Sequence, residues 1–137
     1  MGAAFGLAQL ESLDNNIRVR KQNFLKQCNF FNNYEMFFEN PIEQNLASTA
    51  WLAFPILIKK EAPFKRRDLQ IYLEERNIQT RVVFTGNVIR QPMMKSVNYR
   101  VNKGGYPNAD AVMERGVLLP LHHGMTDEMF ERLHSEI

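Results

Sequence analysis

The chain has a single cysteine, Cys28, so no disulfide can form within it. Cys28 also falls inside an apolar helical pattern, and a reducing, cytoplasmic setting is the expectation. Long apolar runs are missing too. The longest, residues 51–58, is strand-sized and contains Pro55, far short of the ~18 residues a membrane span needs. No basic segment precedes the apolar start, so no secretory signal is expected. Charge of one sign is also scarce: the net charge is +2, which gives no general drive toward nucleic acid or membrane. A metal centre needs three or four convergent ligands, and His122 and His123 have only His134 and Asp127 nearby, so none is expected. No repeat or low-complexity tract occurs.

What is present fits one domain of 137 residues with an apolar share sufficient for a core. Leu10, Leu13, Ile17, Phe24, Cys28 and Phe31 recur at helical spacing, predicting one long helix over residues 3–32, about 45 Å at 1.5 Å per residue. Its start carries no Ser, Thr, Asp or Asn as a cap and is apolar nearly all round. We read it as an interruption, with Phe5, Leu7, Leu10 and Leu13 expected to be covered by a missing element or a second copy. Residues 49–58 predict a strand, placed at an edge or bulge by Pro55. A helix follows from Pro63 to Asn77, then a strand over 78–84. Further on come a loop over 86–92, a helical turn over 93–97 and a short helix from Asn108 to Gly116. A strand over 117–121 and a helix capped by Thr126 complete the order. The expected architecture is α/β of the α+β kind: a long helix (residues 1–35) leading into a small domain (46–137). That domain has a mostly antiparallel sheet with helices on one face.

Several segments resemble the DegT–DnrJ–StrS sugar aminotransferases. Gly2-Ala-Ala-Phe-Gly-Leu-Ala-Gln-Leu-Glu-Ser-Leu13, followed by Arg20 and Asn23, is similar to the helix after that family's cofactor site. Leu73-Glu-Glu-Arg-Asn-Ile-Gln-Thr-Arg81 resembles its helix-to-strand step, and Leu118-Leu-Pro-Leu-His-His-Gly-Met-Thr-Asp127 its closing strand and helix cap. Phe84-Thr-Gly-Asn-Val-Ile-Arg-Gln-Pro92 is similar to the Gly-Asn-x-x-Arg-Gln-Pro loop of the branch that removes the 3-hydroxyl of CDP-4-keto-6-deoxyhexoses.

The resemblance implies the C-terminal small domain of a fold-type I pyridoxal-phosphate transferase, acting on nucleotide-sugars in deoxysugar and lipopolysaccharide biosynthesis. The family's cofactor-stacking aromatic, ring-nitrogen aspartate and Schiff-base lysine (histidine in the dehydrases) have no counterpart here. The expectation is therefore a chain with no catalytic residue and no cofactor of its own, pyridoxal or pyridoxamine phosphate belonging to the whole family enzyme. One cysteine likewise cannot bind an iron–sulfur cluster.

The residues expected to touch a nucleotide-sugar are Gly86, Asn87, Arg90 and Gln91, with Arg81 lining the same cleft. Arg90 leads: a loop arginine offers a fork of donors to phosphate or sugar oxygens. It is expected to carry no folding role. For Arg81, an outward position beside Glu74 or Glu75 is the competing reading. His122 and His123 read as hydrogen-bonding residues rather than ligands. Phe30, Phe31, Tyr34, Phe37 and Phe38 read as core aromatics, or else a partner surface. Lys59, Lys60, Lys65, Arg66 and Arg67 form a basic run diluted by Glu61, Asp68, Glu74 and Glu75, and read as a solvated helix face. Nucleic acid is not the expected partner. A second function stands beside the first: a self-associating interaction domain without enzymatic activity, pairing through its first helix. A weaker third is nucleic-acid binding by the basic helix.

Overall fold

The structure, a computed structural model, describes residues 2–137. The first helix is split. α1 (Gly2–Glu11) and α2 (Leu13–Phe31) are separated by Ser12, which stays close to helical geometry at φ −96° and ψ −4°. The predicted 3–32 helix is thus present but interrupted at one residue. α1 buries nothing, whereas Phe24, Gln27 and Phe31 of α2 are buried at spacings of three and four along one face.

The other elements follow in order: β1 (Phe38–Glu39), β2 (Phe54–Ile58), α3 (Arg66–Glu75), β3 (Arg81–Val82), α4 (Pro107–Arg115), β4 (Gly116–Leu119) and α5 (Asp127–Ser135). Short 3₁₀ turns lie at Asn32–Tyr34, Val88–Arg90 and Pro92–Ser96. The sheet is antiparallel throughout, in the order β1-β2-β4-β3. Pairing of Phe54 with Leu119 and Ile56 with Val117 puts these four residues on one face, and all four are buried. Phe31 and Phe24 of α2, Leu73 of α3 and Leu133 of α5 complete that core. The rings of Phe24 and Trp51 stack at 4.7 Å, and Phe31 stacks on Phe54 at 5.4 Å. Helices therefore cover one sheet face, while Pro55, Leu57 and Leu118 on the other are only half-buried.

Three expectations change in detail. Pro55 lies in an interior strand, not an edge; β1 pairs only with Leu57 and Ile58, so that flank has no ladder at Pro55 for a missing N–H to break. The 78–84 strand shrinks to Arg81–Val82. Asn77 adopts φ 59°, and Ile78 N donates to Leu73 O (2.9 Å) while Asn77 N donates to Glu74 O (3.0 Å), a Schellman closure that turns Ile78 back onto the core. Thr80 N then donates to the Glu74 side chain (2.6 Å), and Phe84 at φ 45° ends the strand. α3 begins at Arg66 rather than Pro63, because the Asp68 carboxylate accepts from Lys65 N (3.0 Å) and fixes the first turn there.

Candidate functional site

The 86–92 loop is fastened to α4. Gly86 holds φ 64°, and a Cβ there would run into the backbone and side chain of Met113, so the loop lies directly against the helix. Asn87 is buried at 4% exposure. Its Oδ1 accepts from Ile89 N (3.2 Å), capping the Val88–Arg90 turn, and its Nδ2 donates to Asp110 Oδ1 (2.8 Å). Arg90 donates from Nε to Asp110 Oδ1 and from Nη2 to Oδ2, both at 2.9 Å. Gln91 Nε2 donates to Thr85 O (3.0 Å), tying the two ends of the loop together.

Electrostatics follow from this fork. The Arg90 guanidinium first, and the Asn87 amide second, hold the Asp110 carboxyl at about 2. The same contact raises Arg90 above its ordinary range. The expectation of an Arg90 with no folding role is corrected here: one edge of its guanidinium is spent on a bidentate pair joining the loop to α4. The side chain is nonetheless 60% exposed. The Nη1 group and one Nη2 hydrogen have no protein acceptor among the described residues.

Gly86, Asn87, Arg90 and Gln91 thus come together on one loop. Arg81 does not join them. It lies beside a separate shallow depression with Leu118, Pro120 and His122. Its Nη1 donates to Thr80 O (3.2 Å), and the Gln79 amide, oriented with its oxygen toward the guanidinium, accepts from Nη2 at 2.7 Å. Glu74 is held by Thr80 instead, whose N–H and hydroxyl lower its carboxyl below the ordinary range, with Arg81 a smaller influence. Asp110 is the site residue that sequence reasoning missed; its one local signal is a place in the first turn of α4.

His122 Nδ1 accepts from Gly124 N (3.1 Å). His134 stacks on Phe30 at 3.7 Å and bonds buried Gln27 (2.9 Å). Among the described residues no group of three or more His, Cys, Asp or Glu is placed to hold a metal ion. No described helix is long and apolar enough to cross a membrane.

The pattern of the DegT/DnrJ/EryC1/StrS aminotransferase family matches residues 1–137. The chain belongs to that family. It is 35% identical over 136 residues to the lipopolysaccharide biosynthesis protein RfbH of Salmonella typhimurium, covering 99% of this chain and 31% of RfbH. It is also 35% identical over 91 residues to a dTDP-4-dehydro-2,6-dideoxy-D-glucose 3-dehydratase of Saccharopolyspora spinosa, covering 66% of this chain and 20% of that protein. Among solved structures, the Escherichia coli GDP-4-keto-6-deoxy-D-mannose-3-dehydratase with bound hydrated PLP superposes with TM-score 0.84 at 24% identity, over 97% of this chain and 33% of that one. The chain spans about a third or less of the length of these relatives. The fold is the small α/β domain of fold-type I pyridoxal-phosphate enzymes.

Membership of this family implies pyridoxal phosphate. Its chemistry needs a carboxylate at the ring nitrogen and a lysine or histidine at the reacting carbon. Asp110, the acid beside the loop, already accepts three bonds from Arg90 and Asn87. Among the described residues, the buried ones include no lysine or histidine.

Proposed function

We propose that this chain is the small-domain portion of a nucleotide-sugar 3-dehydrase of deoxysugar and lipopolysaccharide biosynthesis, with an aminotransferase as the neighbouring alternative. It binds substrate and is not catalytic by itself. The observation that carries the reading is the Arg90 fork: Asp110 fixes one edge of the guanidinium and leaves the other open on an exposed loop. A guanidinium held this way presents paired donors to phosphate or sugar oxygens without a further loss of rotamer freedom. Asn87 bonds the same carboxylate, Gly86 seats the loop against α4, and Gln91 closes the loop. Arg81, in its separate depression, is a second contact to a substrate long enough to span both. The similarity to RfbH and to the spinosa 3-dehydratase supports the dehydrase class. Family likeness alone does not restore reacting groups that the chain lacks. A cytoplasmic setting is proposed on the single Cys28, half-buried and unpaired.

Titration of the isotope-labelled chain with a CDP-hexose tests this. Amide shifts are expected at 86–91 and are expected to vanish in Arg90→Lys, which keeps the charge and loses the fork. Shifts confined elsewhere, or unchanged in Arg90→Lys, overturn the assignment.

A second reading has its own observation. Phe5, Leu7 and Leu10 of α1 are 70%, 67% and 62% exposed, and α1 buries no residue. We propose that α1 pairs with a second copy in a homodimer, with or without substrate binding. Sedimentation that finds only monomer at micromolar concentration, with helix content intact, removes it.

A further inference from the structure

The basic run around α3 behaves differently in three dimensions than along the chain. Lys59 and Lys60 after β2, Lys65, Arg66 and Arg67 at the start of α3, and Arg115 at the end of α4 line one groove of about 690 Å³. None of the acids that dilute this run in sequence lines the groove. Asp68 caps Lys65 N and lines a different cleft, Glu74 is held by Thr80, and neither Glu61 nor Glu75 lines the groove. The lining carboxylates are Asp110, which is paired with Arg90 and bonded by Asn87, and Glu114. Among the described residues none of the six cations is in an ion pair.

Two of them are anchored. Arg66 Nη1 donates to Met113 O (2.6 Å), and Arg115 Nη1 donates to Ile58 O. These bonds tie α3 to α4 and α4 to β2, so the three cationic segments hold a fixed spacing around the groove. Each anchored guanidinium has further donors uncommitted. Phe64, Ala62 and Pro107 give the groove an apolar side.

From this convergence we infer that the groove between α3 and α4 is a binding site for a diphosphate. A single phosphate can be satisfied by two or three donors, whereas here cations approach from three separate segments, a distribution suited to two linked phosphates. The inference does not rest on the substrate reading of Arg90, because Gly86, Asn87, Arg90 and Gln91 do not line the groove.

Calorimetric titration of the chain with sodium pyrophosphate at low ionic strength tests it, with orthophosphate and CDP as parallel titrants. One pyrophosphate per chain is expected, bound more tightly than orthophosphate. CDP binding as well as pyrophosphate identifies a nucleotide as the source; pyrophosphate binding alone identifies an inorganic one. Lys60→Gln/Arg67→Gln, at two exposed positions, is expected to weaken binding by about tenfold or more. Arg18→Gln/Lys103→Gln removes the same charge outside the groove and is expected to leave it nearly unchanged. Circular dichroism verifies that both variants are folded. Absence of binding, or equal weakening in the two variants, overturns the proposal. Tighter binding of a short single-stranded oligonucleotide, lost in the groove variant, also overturns it by assigning the groove to nucleic acid.

Discussion

Replacing Gly86 by alanine tests how tightly the 86–92 loop is seated. The variant meets two penalties. An L-residue held at φ 64° costs ~1–2 kcal/mol, and its Cβ overlaps Met113, an overpacking that costs ~1–3 kcal/mol when neighbours must shift. Gly105 supplies the control: it holds φ 65°, but a Cβ there meets nothing within 4 Å. Gly105→Ala therefore carries the conformational penalty without the overlap. The gain of ~0.4–1 kcal/mol from restricting the unfolded chain applies to both and cancels. The Gly86 variant should thus be less stable than the Gly105 variant by about 1–3 kcal/mol. At roughly 4 °C per kcal/mol, that separates their thermal midpoints by about 4–12 °C. Urea and thermal unfolding followed by circular dichroism measure this. A displaced loop should also loosen Asn87 and Arg90 from Asp110, so the Asp110 carboxyl should titrate above its value of about 2 in the same variant. Equal midpoints for the two alanine variants would refute the seating against Met113.

Other outcomes follow from the same contacts. In Arg90→Ala the Asp110 carboxyl should rise from about 2 toward the ordinary range, read by carbon-detected titration. In the intact protein, the stability this pair contributes is present above the unfolded carboxyl value of about 3.9 and is lost as pH falls through about 2. His134 is held below the ordinary imidazole range by burial and, secondarily, by Lys26. Its folded form resists protonation, so the related stability is full above about pH 6.5 and declines as pH falls below it. That slope, read from thermal midpoints between pH 5 and 8, should flatten in His134→Phe. Phe31→Ala should cost about 3–5 kcal/mol in urea unfolding, because the ring is 1% exposed and packs on Phe30, Phe38 and Phe54.

Legibility in the sequence tracked locality. Thr126 and Asn77 mark helix ends through bonds within a few residues, and both sit where the local pattern puts them. The burial of Phe24 and Phe31 on one face needs only the helical repeat. Residues 78–84 have β-branched composition, which does not show that Thr80 N bonds Glu74 instead of a neighbouring strand. β1, two residues long, has no periodicity to read. The loop was legible as a loop, but Asp110 was not legible as its anchor: no local rule relates positions 90 and 110. Acids interleaved in sequence neutralise a helix face only if they share that face, and Asp68 and Glu74 are turned away by bonds to Lys65 and Thr80.

The strand order carries a temporal consequence. β4 is the last strand in the chain, yet it stands between β2 and β3 and supplies the pairing that joins them. A chain emerging from the ribosome exposes one apolar edge at β2 until residue 116 and beyond have been made. Phe54 and Ile56 must wait for Leu119 and Val117, some sixty residues later, before their ladder closes. Assembly of the sheet is therefore governed by the final segment, and loop closure of this length slows formation of the nucleus. Until then the open strand is a template for wrong partners. Weakening β4, for example by Val117→Asp, should depress the yield of folded protein in synthesis, read as the soluble fraction against the unchanged chain.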